Sequence, residues 1–575
     1  MKKIFFYALG LMCSLSAQAS VTTYVYDGDK SKAENGTALQ AAIDAAAESG
    51  IDTLKVQAGT YYGNFTMKQG VNVSGGWDAN FETQTDYATI LDAQENGRVV
   101  NQEAAFDVLT VWENLTIQNG NVTGTGAGVQ LCANGKLLHC TITNNVATTQ
   151  GGGIYCDDTN AGVIIDDCIV SSNTAYQGGG MRIRGTVQNS IVENNTTTDA
   201  GGGIHLQAAT ANNCIVRNNT AKAAGGIRAY GGTVKNCIIE DNSTTTSNTG
   251  GVSLQNGAQM QNSIIRNNTS GENTGGVRMT FDSSKSCKLA NCLIVGNSAA
   301  QTIGGISLEG GIHYVFNNTI VNNSQTYSSN TSRCGVRLNV GAALQFASNI
   351  IWGNKANGSV QNDQIEINSN YLTNNAALHF LNNAICHNNT AVGTGTIQLT
   401  NSDPGFVDAA NADYSLLWTL SLVDAGNDSK AQGTTDLAGK ARKAGNHVDI
   451  GAYELPYHTL TVAAFEHATL TVGGETKTAG DYSLPKGYTT TATIEPDENY
   501  SITSVTCGDA ILTPEAGIYT LPALLTDMTL TITVQSTPTG IDDANTAVKA
   551  VKVIRNGQLL ILRDGKEFNV LGSQL

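Results

Sequence analysis

One short pattern returns along nearly half of this chain and constrains the fold more than any other feature. A small residue is followed by a free position, an Ile or Val, two more free positions and an Asn. It runs Cys140 to Asn145, Cys168 to Asn173, Ser190 to Asn195, Cys214 to Asn219 and Cys237 to Asn242. It continues from Ser263, Cys292, Asn318, Asn349 and, more loosely, Asn383, with a forerunner at Asn114 to Asn119. Between these stands a second motif, Gly-Gly before an aliphatic residue, at Ile154, Met181, Ile204, Ile227, Val252, Val277 and Ile306, with a single Gly before Val336. Most spacings are 22 to 31 residues. Short β-branched runs at that period, with Gly-rich corners and no helical pattern, predict a parallel β-solenoid whose coils bury an inner face only by stacking. Leucine-rich repeats share the period but need a Leu scaffold that is absent here. About eleven coils at ~4.8 Å would make a rod of roughly 50 Å.

Composition agrees. Gly is 63 of 575 residues, and all seven prolines lie at or beyond Pro404, as a body needing nearly every backbone N–H for neighbouring strands requires. Charged residues are only 14 %, so Asn, Thr, Ser and Gln clothe the surface. A net charge of −16 argues against a nucleic-acid partner, which wants a basic face, though not against a local basic stripe.

In the first motif the small residue and the Ile or Val point inward, and the Asn satisfies backbone groups at a tight corner. The cysteines thus stand in an inner ladder with Ser and Asn. Adjacent coils bring Cys140 near Cys168 and Cys214 near Cys237, within disulfide range; buried thiols acting as small apolar residues are the reading we adopt. Residues 1–19 have Lys2 and Lys3, an apolar run and Ala17-Gln18-Ala19, the layout of a secretory signal peptide. Met12 before Cys13 argues against a lipid anchor there, and no later segment reaches the ~18 apolar residues of a membrane span. Thr37 with Gln40 is read as a capping box, opening a helix whose Leu39, Ile43 and Ala46 would cover the first coil and which ends near Gly50; residues 53–56 and 71–74 follow as strands.

The alternation of Gly202-Gly203-Ile204 with Val192-Glu193-Asn194-Asn195 and Val216-Arg217-Asn218-Asn219 resembles the polymorphic outer-membrane-protein repeats of bacterial surface β-helix proteins. Further on, Asp403-Pro404-Gly405-Phe406, Asp413-Tyr414-Ser415-Leu416, Ser421 to Gly426, Thr435 to Gly439 with Arg442, and Asp449 to Glu454 resemble the choice-of-anchor Q region. In secreted right-handed β-helix proteins that region follows the last coils, and the resemblance carries no catalysis. Asp424, Asp436 and Asp449 read as turn formers and caps in preference to a calcium site. From Tyr457 the alternation becomes strict, as in an antiparallel β domain similar to bacterial stalk repeats. The last segment, with turns at Asn556-Gly557 and Asp564-Gly565, resembles the sorting domain of the type IX secretion route, implying contact with secretion machinery. The expected order is a signal peptide (1–19), a parallel β-helix with its N-terminal cap (20–402), choice-of-anchor Q-like coils or cap (403–456), a small antiparallel β spacer (457–536) and a C-terminal hairpin (541–575). The expected location is the cell surface, outer membrane or extracellular space.

On the strand after Gly-Gly, the first outward position reads Tyr155, Arg182, His205, Arg228, Ser253, Arg278, Ser307, Arg337, and the next reads Asp157, Arg184, Gln207, Tyr230, Gln255, Thr280, Glu309, Asn339. From Arg182 onward an Arg recurs on every second coil, about 9.6 Å apart, close to two sugar units of an extended glycan. Tyr155, Arg182, Arg184, His205, Arg228, Tyr230, Arg278 and Arg337 are therefore the candidate contacts for an anionic polysaccharide or cell-surface glycan, with guanidinium forks on carboxylate or sulfate. The plainer alternative is that long polar side chains cover a flat sheet, alternating to keep like charges apart. Hydrolysis needs two carboxylates about 5 to 9.5 Å apart. Asp157 and Glu309 stand six coils, roughly 29 Å, apart, which excludes them as a pair; Asp282 with Glu309 remains. A polysaccharide lyase would use Arg184 or Arg228 as base near a calcium site at Asp157-Asp158. The expectation is a non-catalytic adhesin or glycan-binding protein with no cofactor, calcium being the one ion an alternative lyase would require. A purely structural surface rod is the third reading.

Overall fold

A computed structural model describes residues 20–157, 162–246, 248–280, 285–310, 313–327, 334–339, 344–367, 380–386, 393–400, 403–419, 421–537 and 550–575. Asp158, Asp282 and residues 1–19, read above as a signal peptide, lie outside the described residues. The chain divides into two compact units, Met1–Leu455 and Pro456–Leu575.

The first unit is a parallel β-helix. Four sheets of 14, 11, 12 and 14 strands run along it, with parallel pairing from coil to coil except where Ser359–Val360 folds back antiparallel on Lys355–Ala356. The repeat residues occupy the columns expected of them. Cys140, Ile142 and Asn145 are fully buried, as are their equivalents up to Asn349, Ile351 and Asn354. The corner asparagines form a continuous ladder. Asn195 donates from its backbone N and its Nδ2 to Asn219 Oδ1 (2.9 and 3.0 Å), and Asn219 donates in the same way to Asn242 (3.0 and 2.9 Å). The ladder runs from Asn145 to Asn354 and closes on Gln364. Its crowding explains the Gly-Gly motif, because a Cβ on Gly180 would come within 2.6 Å of Gly203 O and 2.9 Å of Asn195 Nδ2.

Cys, Ser and Asn alternate in the small-residue column because each presents an acceptor to the backbone N–H of the preceding coil. Cys140 N donates to Cys168 Sγ (3.4 Å), Cys168 N to Ser190 Oγ (3.0 Å) and Cys292 N to Asn318 Oδ1 (2.9 Å). The eleven cysteines from Cys132 onward stand as thiols rather than disulfides, all but Cys132 buried. One position read as free in the repeat, and the position just before the repeat begins, are constrained. The residue before each small residue (Asn189, Asn213, Asn236) and the one before each ladder Asn (Asn194, Asn218, Asp241) have φ between 51° and 57°, the left-handed region that Asn and Asp tolerate best.

The helix Lys32–Glu48 covers the first coils with Leu39, Ile43 and Ala46 buried, as its apolar face predicts. Its capping box is a correction: it is Ser31 with Glu34, not Thr37 with Gln40, and Thr37 lies inside the helix donating to Ala33 O. The cap thus stands six residues earlier than the apolar pattern indicated.

Among the described residues, 403–419 and 421–455 add no strand to the four long sheets. They lie as a strap along the outside of the late coils, on the sheet containing Leu293–Val295, Thr319–Val321 and Ile350–Trp352. Phe406, Tyr414, Leu416, Leu422 and Ile450 pack on Leu293, Val321, Ile350 and Ala384. Left-handed corner asparagines hold it: Asn322 Nδ2 donates to Tyr414 Oη (2.8 Å), Asn291 Nδ2 to Gln432 O (2.7 Å) and Asn382 Nδ2 to Ala425 O (3.0 Å).

In the second unit, a five-stranded and a four-stranded sheet enclose a core of Leu460, Val462, Leu470, Val472, Leu530 and Ile532. The pairing is antiparallel save that Tyr457–Val462 runs parallel to Met528–Ser536. Val551–Arg555, Gln558–Arg563 and Lys566–Phe568 form a separate three-stranded antiparallel sheet, with Asn556, Gly557, Asp564 and Gly565 all at positive φ in its two turns, as the turn motifs predict.

Candidate functional site

The twelve-stranded sheet carries the candidate face. Its register aligns Tyr155 with Arg182, Arg182 with His205, His205 with Arg228, Arg228 with Ser253, Ser253 with Arg278, Arg278 with Ser307 and Ser307 with Arg337. The neighbouring outward column aligns Gln207 with Tyr230 and Gln255, and Thr280 with Glu309 and Asn339. The residues expected on one face are therefore on one face, with Arg on alternate coils.

The charges of that face are not equally available. Asp157 pairs with both Arg184 Nε (2.6 Å) and Arg182 Nη2 (3.4 Å), Glu309 with Arg278 (2.5 Å), and Glu366 with Arg337 (3.7 Å). Arg182 also donates to Gln150 and lies 5.9 Å from the Tyr155 ring centre. Burial raises the Glu309 carboxyl, but the Arg278 hydrogen bond and charge outweigh it and hold the group below its usual range. Burial, then the charge of Asp157, raises the Tyr155 phenol. His205 is only 4 % exposed beneath the flanking side chains, and burial together with Arg228 and Arg182 drives its pKa down to about 3. It is a neutral imidazole under the stripe rather than a cation on it. Nothing in a one-dimensional column shows that two long arginines fold over a shorter neighbour.

Arg228 differs. Among the described residues it has no carboxylate partner; its Nη2 donates to Gln255 Oε1 (3.3 Å) and its buried Nε is unpartnered, as is Nε of Arg278. Both guanidinium groups line a surface hollow of about 180 Å³ with Ser253, Gln255, Asn248, Ala200, Ala223, Ala224 and Asp199. The hollow was not legible in the repeat, because Asp199, Ala223 and Asn248 come from the corner before Gly-Gly, where coil lengths vary.

Asp424, Asp436 and Asp449 act as caps. Asp449 accepts from Asp424 N and Leu455 N (both 2.7 Å), Asp436 from Lys440 N (2.7 Å) and Glu454 N (2.8 Å), and Asp424 from His447 N (3.0 Å). Among the described residues no three His, Cys, Asp or Glu side chains converge as metal ligands.

Residues 69–236 match the family described as right handed beta helix region. No curated protein matches the chain. Similar solved structures include PfbA, a surface adhesin of Streptococcus pneumoniae, at 14 % identity and TM-score 0.34, covering 60 % of this chain and 91 % of that one. The Azotobacter vinelandii mannuronan C-5 epimerase AlgE6 A-module is similar at 16 % identity and TM-score 0.33, covering 64 % and 95 %. The tailspike protein gp49 from Acinetobacter baumannii bacteriophage Fri1, a capsular polysaccharide depolymerase, is similar at 11 % identity and TM-score 0.33, covering 91 % and 85 %.

Proposed function

We propose that this is an exported surface protein that binds an anionic glycan along the arginine face without cleaving it. The observation that carries the reading is Arg228: an un-neutralised guanidinium, in register with arginines two coils to either side, at a hollow it shares with Arg278. A guanidinium with unused donors beside a second one is suited to a carboxylate or sulfate, and a two-coil repeat of about 9.6 Å suits an extended chain lying along the rod. Asp157, the described member of the pair that a lyase would recruit for calcium, is engaged instead by two arginines, and Glu309, the described member of the hydrolysis pair, by Arg278. Export is supported by the leader-like residues 1–19 and the sorting-like C-terminus, and among the described residues no helix is long and apolar enough to cross a membrane.

The test is retention of the full chain on immobilised acidic polysaccharides, with ultraviolet absorbance of unsaturated product followed in the same samples. Saturable retention without product, lost in Arg228→Ala and kept in Arg266→Ala on a different sheet, is expected. Absorbance that grows with time would replace binding by a lyase reaction. Absence of both would leave a structural rod.

A further inference from the structure

The hollow at Arg228 contains one group that a simple anion site would exclude. Asp199 lines it together with Arg228 and Arg278. Its carboxylate is held from behind: Gln177 Nε2 donates to Oδ2 (2.6 Å), while Asp199 N donates to Tyr176 O (2.9 Å) and its carbonyl accepts from Ala223 N (2.7 Å). The backbone is thus pinned to both neighbouring coils, and Oδ1 has no partner among the described residues. The residues beside it are small, Ala200, Ala223 and Ala224, so a ring can approach the wall closely. Ser253, on the coil between the two arginines, accepts at its hydroxyl from Gln255 Nε2 (3.1 Å), while Gln255 Oε1 accepts from Arg228 Nη2 (3.3 Å).

A site for a bare polyanion would gain nothing from a fixed carboxylate and would lose by repulsion. A sugar that carries its acid group on a ring with free hydroxyls needs both kinds of partner: guanidinium donors for the acid and a carboxylate acceptor for the hydroxyls. We infer that the Arg228–Arg278 hollow is a subsite for one uronic-acid residue, with Asp199 the residue that selects a hydroxylated anionic sugar over other polyanions. This rests on the glycan-binding reading above and adds the ligand's chemistry to it.

The experiment compares an oligogalacturonate, which has carboxylates and free hydroxyls, with inorganic polyphosphate of matched charge, which has no sugar hydroxyls. Both are titrated into the full chain and into Asp199→Asn, a substitution that keeps the acceptor for Gln177. The wild-type chain is expected to prefer the oligogalacturonate. In Asp199→Asn that ligand should weaken by about tenfold, the scale of one hydrogen bond to a charged group, while polyphosphate tightens. A second variant, Asp199→Ser, should show the same inversion, and unchanged melting of both variants separates it from misfolding. Binding of both ligands at an unchanged ratio in the variants would overturn the assignment of Asp199 and leave the arginine face standing. No binding of either ligand by the wild-type chain would overturn both.

Discussion

Arg228 and Arg182 occupy the same column and have the same side chain, yet their surroundings give them different work. Arg182 is tied to Asp157 and Gln150, whereas Arg228 has only a neutral amide. Replacing Arg228 by Ala is therefore expected to weaken glycan binding about tenfold or more, and the same change at Arg182 by much less, both read by titration at fixed salt. A second prediction concerns the strap, where Arg442 is buried against Glu454 (2.9 Å) close to Asp449 and Asp436. Burial and the charge of Asp449 push the Glu454 carboxyl from the ordinary 4.5 up to about 8, and burial raises Asp449 to about 6. Because these folded-state values are raised, the folded chain holds protons that the unfolded chain has released between pH 4.5 and about 8. The stabilisation is complete below that window and is lost as pH rises through it. The melting temperature of the β-helix unit should accordingly fall between pH 5 and 8, and Glu454→Gln should flatten the slope; a rise over that range would contradict the raised values.

At the scale of the coil, the Asn ladder adds buried side-chain hydrogen bonds to the sheet pairing that holds one turn on the next. Asn219→Ala would leave the backbone N–H of Asn195 and one of its two Nδ2 protons buried without an acceptor, the other Nδ2 proton staying on Val170 O. Two unsatisfied donors should cost about 2–6 kcal/mol, measurable by chemical unfolding and far above an exposed Thr→Ala change on the same coil. This element was legible from sequence because the same contact recurs every coil and leaves a periodic residue. The arginine column was legible for the same reason, since register follows once the inward positions are known. The strap was not placed by the same reasoning. Its contacts join residues far apart in the chain, 43 positions for Asn382 with Ala425 and 141 for Asn291 with Gln432, and no period records them. A local trace does exist: the outward position that reads Glu193, Arg217, Glu240 and Arg266 becomes Val295, Val321 and Trp352 where the strap covers it. The cap of the N-terminal helix was misplaced because Lys32 to Gly36 contribute no large apolar residue, so the hydrophobic face begins later than the helix does.

Across the β-helix as a whole, each coil contacts mainly its two neighbours, so coils are separable units of both stability and binding. Excising residues 215–237 joins Cys214 to Ile238 with every column kept in register, and removes Arg228. The shortened chain should still fold cooperatively by circular dichroism but lose acidic-glycan retention. Excising residues 141–168, which removes Tyr155 and leaves the hollow intact, should lose neither. Wild-type retention should also fall as salt rises, since the attraction is between surface charges. The most direct measurement is a crystal structure of the full chain with a uronic-acid hexamer. The account predicts density over Ser253, a carboxylate between Arg228 and Arg278, and the oligomer running along the rod axis towards Arg182. Density on any other sheet, or an oligomer crossing the coils without touching Arg228, would contradict it.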